Sequence, residues 1–162
     1  MNYLELINDN NKESCKQMWQ FFLDNYPDAK GSSHNHQNWK GGYFDHIKNT
    51  MEYATILYAQ LKPPIDLSDA ILVLFLHDIE KPIKYSQSEY PWFFSTMPRN
   101  DNDIRAELIK HFNIQLNNDQ KLALKYIHGE GDDYKKDERV MSPLAAFCHC
   151  CDVISARIFY NK

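Results

Sequence analysis

Apolar residues recur along this chain at intervals of three and four, and strict alternation of polar and apolar positions is hard to find. The pattern predicts helices rather than sheet. Leu4, Ile7, Cys15, Met18, Trp19, Phe22 and Leu23 share a stripe and predict an N-terminal helix that breaks before Tyr26-Pro27. After the polar stretch DAKGSSHNHQNWKGG, Tyr43, Ile47, Met51, Ala54, Ile56, Leu57 and Leu61 mark a second helix, ended by Pro63-Pro64. The third, LSDAILVLFLHDIE, is capped by Asp66 or Ser68 and is apolar nearly all round, as a helix at the centre of a fold is. Pro82 stands near its end, where proline stops a helix. DNDIRAELIKHF and NNDQKLALKYIH each open on a cap-like Asp or Asn and carry an apolar stripe. SPLAAFCHCCDVISARIFY is the last helix, with Ser142 as N-cap and Pro143 in the first helical position. The expected fold is all-α: a single-domain bundle of about six or seven helices over residues 1–162.

A chain of 162 residues buries roughly 68–70% of its unfolded surface, enough for a core without disulfides. The formal net charge of −4 gives no global attraction to polyanions. A broad nucleic-acid surface is therefore not expected, whereas a small phosphorylated substrate held by a few local cations or a metal is compatible. Three of the four cysteines, Cys148, Cys150 and Cys151, crowd into CHCCD, a spacing that suits no disulfide framework. MNYLELINDNNKESC shows no signal-peptide pattern, and no run reaches the roughly eighteen apolar residues of a membrane span. The expectation is a soluble, cytoplasmic protein in a reducing compartment, with no membrane partner.

Four side chains stand where a core would prefer carbon. His46 comes early in the second helix, just after Gly41-Gly42, and His77 and Asp78 lie at the end of the apolar third. Asp152 interrupts the last helix among Ala145, Ala146, Phe147, Val153 and Ile154. A carboxylate there is unfavourable unless it is paired, hydrogen-bonded or bound to a cation. Two imidazoles and two carboxylates suit a divalent ion (Mn, Fe, Co, Ni, Zn or Mg) with positions left for water and substrate. Such an ion lowers the pKa of its water and stabilises phosphoryl oxygens.

The order His46, His77-Asp78, Asp152 resembles the HD-domain superfamily of metal-dependent phosphohydrolases. GGYFDH is similar to that family's GG-L-EH helix start, LFLHDIEKP to its LLHDIGK, and CHCCDVISAR to its closing ADxIDAR helix. The likeness runs from about His36 to Arg157. It implies a helical bundle around a divalent ion, with His46, His77, Asp78 and Asp152 as the metal ligands and Asp78 in the catalytic set. One ion is expected, and a second is left open. Lys81 is similar to the family lysine that follows the motif, and a compact cation there is expected to meet a substrate phosphate. Glu80 stands where the family often has glycine. It is a candidate partner for a metal ligand, or a base for the attacking water, with a solvated helix-end carboxylate as the plainer reading.

His128, in YIHGEGDDY, falls where two-metal members of the superfamily carry further histidines, and is a candidate for a second ion or a phosphate oxygen. His111 is its partner by order, although a histidine ending a helix also serves the helix dipole. His34 and His36 precede the first ligand as histidines do in the family's exonuclease-like branch, and His36 is a candidate substrate contact. Arg157, Lys84, Arg99 and Arg105 are candidate phosphate clamps, with solvated surface as the default. Trp92, Phe93 and Phe94 either stack on a base or pack as core or lid. Adjacent residues on a helix diverge, so Cys148, His149, Cys150 and Cys151 predict packed thiols rather than a zinc knuckle.

The leading expectation is a phosphohydrolase that uses a metal-activated water on a phosphate ester of a nucleotide or related small molecule. The enzymatic alternative is a phosphodiesterase or 3′–5′ exonuclease, encouraged by His34, His36 and KGG and weakened by the acidic charge. A non-catalytic HD-like metal-binding regulatory module is the third reading, and the complete ligand set argues against it. A homo-oligomer is left open.

Overall fold

Asn8, Asp66, Asn100, Asn117 and Ser142 each turn a side-chain oxygen onto a backbone N–H at the start of a helix. These caps punctuate the computed structural model, which describes residues 2–33, 36–86, 90–95, 97–98 and 100–158. The helices are α1 (Asp9–Asn25), α2 (Gly42–Leu61), α3 (Leu67–Leu76), α4 (Lys81–Lys84), α5 (Asp101–His111), α6 (Asn118–Tyr126) and α7 (Pro143–Val153). A 3-10 turn, Tyr3–Leu6, precedes α1, and a π-helical stretch, Ile154–Ile158, continues α7. Among the described residues there is no strand, only an isolated bridge between Lys135 and Glu138. The fold is therefore an all-α bundle, as the periodicity predicts. Among the described residues, no helix is long and apolar enough to cross a membrane.

Helix α3 is the axis of the core. Ala70 through Phe75 are wholly buried, and Leu76 is 1% exposed. Helices α2, α6 and α7 and the first 3-10 turn all pack on it. Each buried aliphatic side chain contributes roughly 1.5–3 kcal/mol, so a helix apolar on every side is stable only in this central position. Cys15, Met18 and Phe22 of α1 and Leu144, Ala145, Cys148 and Cys151 of α7 complete the surrounding layer. Of the three α7 cysteines, Cys148 and Cys151 are buried as the packed-thiol reading expects, whereas Cys150 is exposed and departs from it.

Two local departures from the predicted elements bear on the site. The first helix does not run through from Leu4; Asn8 restarts it as a cap, accepting from the Asn11 N–H. More consequentially, α3 ends at Leu76 rather than at Glu80. Residues 77–80 form a turn, and Pro82 sits in the first turn of α4, where its missing N–H has no helical partner to lose. The last carbonyls of α3 are thereby left without helical donors.

A tight junction holds the start of α2. Gly41 has φ +74°, a conformation L side chains rarely adopt. At Gly42 a Cβ would lie 1.9 Å from the Gln37 carbonyl oxygen. Only hydrogen fits there, so the 36–40 loop lies directly against the helix that carries His46.

A candidate metal centre

Three helices bring His46, His77, Asp78 and Asp152 together inside the bundle. His46 projects from α2, His77 and Asp78 from the turn after α3, and Asp152 from α7; they are 0%, 1%, 1% and 8% exposed. The His46 and His77 Nε2 atoms are 3.1 Å apart. Asp152 Oδ1 lies 3.2 Å from His46 Nε2 and 3.6 Å from His77 Nε2. Asp78 Oδ2 lies 3.4 Å and 3.2 Å from the same two atoms. Ligand atoms held about 2.0–2.2 Å from an ion stand about 3–3.5 Å from one another, and the cluster has that spacing.

Hydrogen bonding behind the imidazoles fixes what they present. His77 Nδ1 donates to the Leu74 carbonyl at 2.7 Å, one of the carbonyls freed where α3 stops. A carbonyl only accepts, so His77 Nδ1 carries the proton and its Nε2 faces the cluster. His46 Nδ1 is 3.0 Å from Ser155 Oγ. Gln37 Nε2 donates to the Ser155 carbonyl at 3.2 Å and to its hydroxyl at 3.3 Å. Gln37 and Ser155 are both wholly buried. Partners of this kind orient metal-binding histidines and settle which nitrogen is free.

Asp78 supplies the sharpest sign of an incomplete set. Neither carboxylate oxygen receives an aligned hydrogen bond, although the residue is 1% exposed. What faces it is the Lys81 ammonium, with Nζ 2.5 Å from Oδ2, and the His128 imidazole, with Nε2 3.6 Å from Oδ1. Burial opposes ionisation of Asp78, yet His77 and Lys81 hold its pKa well below the usual carboxylate range. Burial likewise opposes ionisation of Asp152, and His46 and His77 outweigh it. Burial would depress His77, but Asp78 and Asp152 overcome this and raise its pKa to about 10. Each carboxylate is thus stabilised as an anion, and His77 is drawn towards positive charge. One proton bridges a single pair of these atoms, whereas one divalent cation meets all four. The donor set, two borderline nitrogens and two hard oxygens, fits such an ion.

The cluster opens through Asp152 onto a cavity of about 570 Å³, lined also by His36, His128, His149 and Arg157. Lys81, His36, His128 and Arg157 are therefore all at or beside the site. Burial, then the neighbouring Lys81 and His46 charges, pushes the His36 pKa down to about 4. The structure corrects two of the three readings of Glu80, the base and the solvated carboxylate. It is 3% exposed, and Arg105 grips both its oxygens, Nε at 2.6 Å and Nη2 at 3.0 Å. Glu80 is neither solvated nor free to act as a base, and Arg105 is not free to clamp phosphate.

Other candidates lie elsewhere. His111 stacks on Phe93 with ring centres 3.7 Å apart, and does not pair with His128. Lys84 is in an exposed ion pair with Asp101 at 2.7 Å. Trp92 and Phe93 pack on Phe21 of α1, and Phe94 packs on Phe93. His34 and Arg99 lie outside the described residues. No cysteine is among the described metal-compatible groups. The sequence reading missed two residues, Gln37 and Ser155, and weighed His149 only with the α7 cysteines, not as part of the cavity wall. Ser155 carried a signal, since it follows Asp152 by one turn on the same face; Gln37, in a polar loop, carried none. Comparison with family models, curated proteins and solved structures finds no match.

Proposed function

We propose that this protein is a metal-dependent phosphohydrolase of the HD type, acting on a phosphate ester of a nucleotide or related small molecule in the cytoplasm. The observation that carries the reading is Asp78: a buried carboxylate whose oxygens receive no aligned hydrogen bond, set against two imidazole nitrogens that also meet a second carboxylate. His46, His77, Asp78 and Asp152 would hold the ion. A divalent cation there supplies Lewis acidity towards a phosphoryl oxygen and makes water a stronger acid.

The chain's own groups do the rest. Lys81, 13% exposed and beside Asp78, offers a compact cation to phosphate oxygens that approach the centre. Arg157, on the cavity wall, offers a forked donor to the same charge. His128 keeps 48% of its side chain exposed and presents Nε2 next to both carboxylates, where it can give a proton to a leaving oxygen. The cavity volume of about 570 Å³ is that of a small-molecule site.

The test combines metal analysis with a substrate screen. Purified protein is assayed with Mn, Co, Ni and Mg on p-nitrophenyl phosphate, its bis-ester, nucleotides and short oligonucleotides, beside Asp78→Ala. The expected result is metal-dependent turnover of a monoester or nucleotide. Asp78→Ala should lose more than the about 10–100-fold that removal of a ligand's hydrogen-bond partner costs. Turnover confined to oligonucleotides would favour the exonuclease, and an inert panel at full metal occupancy the regulatory module. Failure to take up any metal would refute the proposal.

A further inference from the structure

His36 was expected to touch substrate, and its ring does line the cavity. Its orientation indicates a different task. The Nε2 atom is shut off from solvent and has no hydrogen-bond partner. A nitrogen meant for a substrate in the cavity would be open to water when the cavity is empty of substrate; this one is turned inward. There the ring lies 5.0 Å, centre to centre, from that of His46. One ligand atom each from His36, His46 and Asp78 fall within 4.8 Å of one another. His36 Nε2 and both Asp78 oxygens are buried without an aligned hydrogen bond, and both residues belong to this one grouping.

The loop that carries His36 is built to hold this position. Ser32 Oγ donates to the His36 carbonyl at 2.8 Å, and the Gly31 N–H donates to the Gln37 carbonyl at 3.0 Å. Gln37 adopts φ +46° and is fastened to Ser155, the residue that contacts His46. The backbone on both sides of the imidazole is thus pinned, and on one side to the same hydroxyl that orients an established member of the cluster. A surface histidine in a polar loop needs none of these ties.

From this geometry we infer that His36 is a fifth protein ligand of the divalent ion, binding through Nε2 beside His46 and Asp78. The inference rests on the metal-centre reading above and changes its stoichiometry: three imidazoles and two carboxylates, leaving one position of an octahedron open towards the cavity. A set with three imidazoles favours Co, Ni, Zn or Fe over Mg, which takes oxygen ligands and retains water.

The test uses the Co(II) form of the intact protein, read by visible absorption and by titration calorimetry. The ligand-field bands of Co(II) change position and intensity with the number and type of ligands. His36→Gln is expected to shift those bands and to weaken Co(II) binding by at least about 10-fold, the lower end of what loss of an outer hydrogen-bond partner costs. Far-UV circular dichroism of the metal-free variant verifies that it folds. Should it not fold, the wild-type protein itself carries the test: histidine-labelled protein with bound Co(II) should show three paramagnetically shifted imidazole sets, not two. Co(II) binding by His36→Gln with unchanged bands would overturn the inference and leave the four-residue centre standing. Weaker binding with unchanged bands would also overturn it, since a residue that merely shapes the loop alters affinity without leaving the coordination sphere. No Co(II) binding by the wild type would end both readings.

Discussion

Replacing Arg105 with methionine isolates one buried charge. Glu80 is 3% exposed and both its oxygens are taken by Arg105. Methionine keeps much of the arginine stem's bulk but leaves the carboxylate uncompensated, close enough to Asp78 that both act on Tyr43. Removing one partner of a buried ion pair costs about 3–5 kcal/mol. A quarter of the Arg105 side chain is exposed, so water can partly replace it, and the lower end, about 3 kcal/mol, is expected. For a chain of 162 residues that corresponds to a fall in Tm of about 6–12 °C. Urea unfolding followed by circular dichroism, with chelator present so that metal binding adds nothing, measures it. The decisive comparison is the double variant Glu80→Gln/Arg105→Met, in which no charge is stranded. It should be more stable than Arg105→Met alone, with a coupling energy of about 1–3 kcal/mol. A loss below about 1 kcal/mol for Arg105→Met, or single losses that simply add, would refute the reasoning.

Three further outcomes are expected. Ser155→Ala removes the hydroxyl against His46 Nδ1 and should weaken metal binding about 10–100-fold, with Ser155→Thr recovering part of it; calorimetry decides. Gly42→Ala places a methyl 1.9 Å from the Gln37 carbonyl oxygen and should cost at least about 3 kcal/mol, because both neighbours are backbone; wild-type urea stability would contradict the contact. Burial raises the Cys15 and Cys151 pKa values to about 12 and Cys148 well above its ordinary value, so at pH 8 a thiol reagent should modify only exposed Cys150 in the native protein and all four cysteines after denaturation. The same shifts set a sign: stability from the buried thiols is intact below about pH 9 and falls as pH climbs towards 12.

What could be read in the chain was read where one residue contradicts its surroundings. Asp152 among alanine, phenylalanine and valine announces itself, and so does a third helix with no polar face, because burial is the only physical solution for either. The role of Glu80 was hidden. Its partner stands 25 positions away, and both resemble ordinary helix-surface charges until two helices are brought together. The end of α3 was misplaced because proline has two meanings: it halts a helix from within, yet suits the first turn of a new one. Gln37 offered no sign at all, since a polar residue in a polar loop is the commonest pattern in any sequence. Its significance depends on a backbone angle of +46° and on a hydroxyl 118 positions downstream.

The centre draws its side chains from opposite ends of the chain, with His46 and Ser155 separated by 109 positions. Any ion seated there acts as a bolt through α2, the end of α3 and α7. Mass action then stabilises the closed bundle by about 4.1 kcal/mol when free metal is a thousandfold above Kd. Amide exchange along α7 should slow accordingly. Without the ion, the same three elements would be held only by their packing, so metal supply would set how readily the bundle opens.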